Sequence, residues 1–120
     1  MTRSKFGNRK PVFMGEKFDS NAERDYYLNL LARKQSGEIK SFKRQPRYML
    51  QEAFRKNGKA IRAIEYVADF EIEYTDGRIE VVDVKGFRTK DYMLKKKLFE
   101  WKYPNLTIIE VKPKEIGRMR

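Results

Sequence analysis

The run Tyr66-Val67-Ala68-Asp69-Phe70-Glu71-Ile72-Glu73-Tyr74-Thr75-Asp76-Gly77-Arg78-Ile79-Glu80-Val81-Val82-Asp83-Val84-Lys85-Gly86 reads as two β-strands folded about a turn. Apolar and aromatic residues alternate with acids up to Tyr74, Thr75-Asp76-Gly77 supplies the turn, and a valine-rich strand follows until Gly86 breaks it. The first strand is predicted to run unbroken from Ile61 to Tyr74. A hairpin centred on the turn brings Asp69 and Asp83, fourteen positions apart, roughly level on adjacent antiparallel strands. Strand side chains alternate faces, so Asp83 and Lys85 point one way while Val82 and Val84 pack behind them; Ala68, Phe70 and Ile72 lie opposite Asp69.

Charge on an apolar strand is costly unless it pairs or holds a metal. Two converging carboxylates can hold Mg²⁺ through oxygen, and the backbone carbonyl of Val84 could add a ligand. Lys85 beside them can orient or help deprotonate a water and stabilise charge on a phosphate under attack. Taken alone, an Asp-x-Lys triplet carries little weight, and a solvated charged face with Asp69 on an edge strand would explain it. The order of the surrounding elements is what gives it weight.

Upstream, Ser20-Asn21-Ala22-Glu23 has capping-box form, and Ala22, Tyr26, Leu30 with Tyr27, Leu31 follow at helical spacing until Gly37. As N3 of that box, Glu23 can bond the Ser20 backbone N–H through its carboxylate. Asp25 lies about 200° further round the helix. Short strands are predicted at Ile39 to Phe42 and Gln45 to Phe54, interrupted by Pro46, with a hairpin turn at Arg55-Lys56-Asn57-Gly58-Lys59. Downstream, Lys90 to Lys102 reads as a basic helix with Leu94, Leu98 and Trp101 as its apolar stripe. Pro104 stops it, and Leu106 to Val111 reads as a final buried strand. Residues 1–17 are expected to form a basic, flexible N-terminal arm, 18–112 the folded domain and 113–120 a polar tail.

Composition narrows the chemistry. The 120 residues contain neither Cys nor His, which excludes disulfides, thiolate or imidazole metal sites, Ser–His triads and Cys nucleophiles. Hydrolysis must then rely on Asp, Glu, Lys, Tyr or a hard metal on oxygen ligands. Lys+Arg 28 against Asp+Glu 17 gives +11, a charge that suits a polyanionic partner. No apolar run is long enough to span a bilayer and no signal-peptide pattern opens the chain, so a membrane role is not expected.

Helix with Glu23, strand with Asp69, turn, apolar strand with Asp83-Val84-Lys85-Gly86, then a basic helix: in this order the chain resembles the PD-(D/E)XK nuclease superfamily. More narrowly, it resembles small phage-type, Holliday-junction-resolvase-like endonucleases. The likeness spans about residues 18 to 111, and Ala68 stands where the nominal motif has Pro. It implies an α/β, restriction-endonuclease-like core with a mixed central β-sheet flanked by helices. It further implies a catalytic set of Glu23, Asp69, Asp83 and Lys85, with Mg²⁺ (Mn²⁺ substituting) on Asp69, Asp83, Val84 and Glu23. Arg88, Thr89, Lys90, Lys95, Lys97 and Gln45 are the candidates for contacting nucleic acid. The implied activity is endonucleolytic hydrolysis of DNA, on branched or recombination-intermediate DNA in phage replication, by a homodimer in the cytoplasm of the host cell. Two alternatives stay open: a nucleic-acid-binding module with this fold and no catalysis, and a nickase, restriction-type enzyme or exonuclease of the same fold.

Overall fold

The computed structural model describes residue 10, residues 12–13 and residues 15–117. In chain order the elements are β1 (Val12–Phe13), β2 (Glu16–Lys17), α1 (Asn21–Gln35), β3 (Ile39–Arg44), β4 (Arg47–Gln51), β5 (Phe54–Lys56), β6 (Lys59–Ile61), β7 (Ile64–Val67), β8 (Phe70–Tyr74), β9 (Ile79–Val84), α2 (Lys90–Lys102), β10 (Ile108–Val111) and α3 (Pro113–Gly117). The architecture is mixed α/β. Its centre is a four-stranded mixed sheet in the order β10-β9-β8-β3, with β10 parallel to β9 and the other pairs antiparallel. The parallel pair needs a long crossover, which α2 provides.

The β8–β9 hairpin forms as its sequence predicts. Gly77 sits at φ +92, its N–H donating to the Tyr74 carbonyl at 2.9 Å, and the Asp76 carboxylate accepts the Arg78 N–H at 3.0 Å. Phe70 pairs with Val82 and Ile72 with Glu80, so one further step along the same register sets Asp69 against Asp83.

Helix α1 also starts and stops where its signals stand. Ser20 Oγ accepts the Glu23 N–H at 3.0 Å, and Gly37, at φ +85, ends it. Its Tyr26 and Leu30 are buried on one sheet face with Ile39, Phe70, Ile72 and Val82. Burial of Leu30 alone is worth about 1.5–3 kcal/mol relative to exposure. On the opposite face, Tyr92 and Phe99 of α2 pack with Tyr66, Ala68, Val81 and Ile108. Val81 and Val82 are consecutive, so β9 feeds both cores and the two longer helices flank the sheet.

The structure departs from the sequence reading in three places. The stretch expected as one strand from Ile61 to Tyr74 is three: β6, β7 and β8. The break between β7 and β8 falls opposite Gln45, held at φ +50, and Pro46, which turn the neighbouring chain out of the sheet. The apolar stripe of α2 is not Leu94, Leu98 and Trp101: Leu94 is 57% and Trp101 77% exposed, while Tyr92 and Phe99, seven apart, face the sheet. The two aromatic bodies fill the space beside Tyr66, and the Tyr92 hydroxyl finds a partner in Glu110 at 2.7 Å, so the aromatic face outcompetes the leucine face. Finally, the folded body reaches beyond residues 18–112. β1 pairs antiparallel with β2, and α3 buries Ile116 in the α1 core. The first nine residues of the expected basic arm lie outside the described residues, as do 118–120 of the tail. Among the described residues, no helix is long and apolar enough to cross a membrane.

Candidate active site

At the open end of the β8–β9 hairpin, Asp69 and Asp83 bind each other's strands. The Asp69 N–H donates to Asp83 Oδ1 at 2.9 Å, and the Val84 N–H donates to Asp69 Oδ2 at 2.7 Å. The second oxygen of Asp83 accepts the Tyr66 hydroxyl. Asp83 is 1% exposed, so its charge depends wholly on these donors and on Lys85 two residues on. Lys85 lies on the same strand face, its Nζ 4.2 Å from the centre of the Tyr92 ring.

Glu23 enters from α1 and is 3% exposed. It does not complete the capping box expected of it. Ser20 caps the helix, but the Glu23 carboxyl takes the Asp19 N–H at 3.3 Å instead of the Ser20 N–H, and lies beside the Asp69 carboxyl. Arg44 stands 3.6 Å away, its guanidinium also gripping Glu16 at 2.7 Å and lying 4.1 Å over the Phe18 ring.

Burial, followed by the adjoining Asp69 carboxyl, pushes Glu23 up from 4.5 to about 7. Burial likewise raises Asp69 and Asp83 above the usual carboxylate range, against the lowering influence of Lys85. Lys85 and Arg44 flank Glu23, Asp69 and Asp83, whose carboxylate oxygens are of the donor type that a hard divalent cation takes. The acids here are gathered on one another and on N–H and O–H donors. Among the described residues, no group of three or more acidic side chains stands in a metal-holding arrangement.

The remaining predicted residues sit nearby in sequence but do other things. Thr89 caps α2, its hydroxyl accepting the Tyr92 N–H at 3.0 Å. Arg88 pairs with Glu110, and Lys95 reaches Asp91 at 3.9 Å. Lys90 and Lys97 are exposed along the same helix. Gln45 is exposed and joins the centre through its backbone, its N–H donating to the Asp69 carbonyl at 2.9 Å. Glu71, two residues beyond Asp69, is tied up by Lys43 at 3.4 Å and by the Tyr48 hydroxyl.

The chain matches a family profile over residues 3–115 whose description reads "Protein of unknown function (DUF1064)". The chain belongs to the DUF1064 family. No curated protein and no solved structure matches it.

Three residues of this DUF1064 chain shape the centre without having been legible as site residues: Tyr66, Tyr92 and Arg44. Tyr66 lies three before Asp69, within a strand read as continuous, where it looks like core. The break at residues 68–69 is what lets its hydroxyl reach Asp83. A clue for Arg44 was its place at the end of a strand directly before Gln45-Pro46, where a cation at the sheet margin calls for a partner.

The raised carboxyl of Glu23 has a stability consequence for the metal-free DUF1064 protein. A carboxyl whose folded value lies above its unfolded one contributes stability that is present below about pH 4.5 and lost as pH rises through about 7. Wild type should therefore lose melting temperature across this window relative to Glu23→Gln, which cannot ionise. Equal pH slopes for the two proteins in thermal denaturation would refute the burden assigned to Glu23.

Proposed function

We propose that this chain is a metal-dependent DNA endonuclease with a restriction-endonuclease-like core of the PD-(D/E)XK type. The observation that carries the reading is the convergence of Asp69 and Asp83, level across the hairpin, with Glu23 beside Asp69 and Lys85 two residues beyond Asp83. A basic chain of +11 supplies the complementary charge for a polyphosphate.

Asp69 and Asp83, with Glu23, would hold Mg²⁺ or Mn²⁺. Bound there, the ion supplies Lewis acidity toward a phosphoryl oxygen and lowers the pKa of water. The chain's own residues do the rest. Tyr66 and the Asp69 N–H fix the Asp83 carboxylate, the Val84 N–H fixes that of Asp69, and the Tyr92 ring holds the Lys85 ammonium against its face. From that position Lys85 can orient a water and meet the charge that gathers on phosphate in the transition state.

A second reading is favoured by one observation: every named oxygen of Asp83 already has an internal donor. On that reading the acids are a structural knot in a nucleic-acid-binding module. A supercoiled plasmid and a synthetic four-way junction, each incubated with Mg²⁺, Mn²⁺ or EDTA, separate the two. Metal-dependent cutting, with the junction cut in preference to plasmid, is the expected result. Cutting of plasmid alone would remove the branched-DNA preference and the symmetric homodimer it implies, and an intact pair of substrates under every metal would remove the enzyme.

A further inference from the structure

Four short strands in the middle of the chain do not belong to the central sheet. β4 pairs with β7 and, nested within them, β5 pairs with β6, so residues 47–67 form one antiparallel ribbon closed by Asn57-Gly58. Both turn residues have positive φ, 52 and 77, the type I′ geometry that the Asn-Gly pair favours. From Gln51 to Arg62 every residue is exposed. An isolated two-stranded ribbon is marginal in water, so this outer part is held by its turn and its base, without a core of its own.

The base is the candidate active site. The Ala68 N–H donates to the Pro46 carbonyl at 3.2 Å, the Gln45 N–H to the Asp69 carbonyl at 2.9 Å, and Tyr66 of β7 reaches Asp83. Tyr48 and Tyr66 of the inner half stack at 6.2 Å and pack on Phe99 of α2. From Ala68 to Gly58 an extended chain covers on the order of 30 Å. The ribbon thus leaves the acid cluster and carries its tip well clear of it.

The tip is basic. Residues 53–64 hold Arg55, Lys56, Lys59 and Arg62 and no acid. The Arg55 guanidinium bonds the Gly58 carbonyl at 2.9 Å, and Lys56, Lys59 and Arg62 make no ion pair among the described residues. Lys56 and Lys59 are direct cross-strand partners, an arrangement that repels unless an anion lies between or above them. Beside them on the same face, Phe54 and Ile61 are paired and stand 44% and 37% exposed. A two-stranded ribbon fits the major groove of B-form DNA, about 12 Å wide, where cations meet flanking phosphates and apolar side chains meet thymine methyls.

We infer that the 47–67 ribbon is an arm that grips double-helical DNA, its Lys56–Lys59 tip entering the major groove while its base holds Asp69 and Asp83 in register with the bound duplex. The choice of DNA as partner rests on the nuclease reading; the arm's binding does not depend on catalysis.

The test is binding of the full-length chain to a short fluorescent duplex in EDTA, across a salt series. K56A/K59A is compared with K34A/K114A, which removes the same charge from exposed positions on α1 and α3. The tip variant should bind about tenfold more weakly, and the slope of log affinity against log salt should fall by about two. Affinity and slope matching the control variant would overturn the arm. So would an equal loss on single-stranded DNA, which lacks the groove, or a change of oligomeric mass with duplex affinity unchanged, which would make the occupant a second copy. Tip-dependent duplex binding by a wild-type protein that cuts nothing in Mg²⁺ would support the arm and count against the nuclease. Mg²⁺-dependent cutting with tip-independent binding would do the reverse.

Discussion

Lys85→Ala is expected to lose at least about a hundredfold in DNA cleavage rate while binding DNA almost as tightly as wild type. The argument lies in where the ammonium sits. It stands on the acid face of β9, carried on the Tyr92 ring at 4.2 Å, as the nearest cation on the strand that carries Asp83. Its removal withdraws the group placed to orient water and meet phosphate charge, and leaves the buried aspartates with less compensation. Affinity should barely move, because one of 28 basic residues is lost. The fold should survive as well, since the contact given up is one cation–π pair worth about 0.5–2 kcal/mol. Wild-type turnover from this variant, by single-turnover kinetics at saturating protein, would show that Lys85 has no part in the chemistry.

Phe99→Ala should produce the largest loss of stability, about 3–5 kcal/mol in urea unfolding. Phe99 is fully buried and touches three tyrosine rings, Tyr48 at 4.9 Å, Tyr103 at 5.2 Å and Tyr66 at 5.3 Å. Truncation opens a cavity between α2 and the base of the ribbon. Because Tyr66 leans on Phe99 and donates to Asp83, cleavage should fall further than the unfolded fraction accounts for. Phe99→Leu, which refills most of the space, should recover much of both losses. A loss below about 1 kcal/mol for the alanine variant would mean that α2 is not anchored here.

Much of the centre is legible in the sequence, for a definite reason. A tight turn at Thr75-Asp76-Gly77 sets the register of its hairpin, and register alone puts Asp69 opposite Asp83. Helix α1 was equally plain, because Ser20 and Gly37 mark its ends chemically. What was hidden depends on competition between distant parts. The strand through Ala68 breaks opposite Gln45-Pro46, where the chain between β3 and β4 turns away. The buried face of α2 is chosen by the Tyr66 and Tyr48 rings and by Glu110, so helical periodicity on its own favoured the leucines. Glu23 illustrates the limit best. Its capping-box spacing is real, yet its carboxyl turns to Asp69, a choice settled by how α1 lies across the sheet. Ile116 and the β1–β2 pair looked like polar ends because each offers only one or two apolar residues to the core.

The measurement that bears most directly on the acid centre is the single-turnover cleavage rate of Asp83→Asn against wild type, on the same DNA in Mg²⁺. Asparagine can still accept the Asp69 N–H, and the Tyr66 hydroxyl can rotate to accept from the new amide, so the knot stays tied while the charge is gone. The account predicts a loss of about two to three orders of magnitude with a melting transition no lower than that of wild type. A rate equal to wild type from a folded Asp83→Asn protein would contradict it.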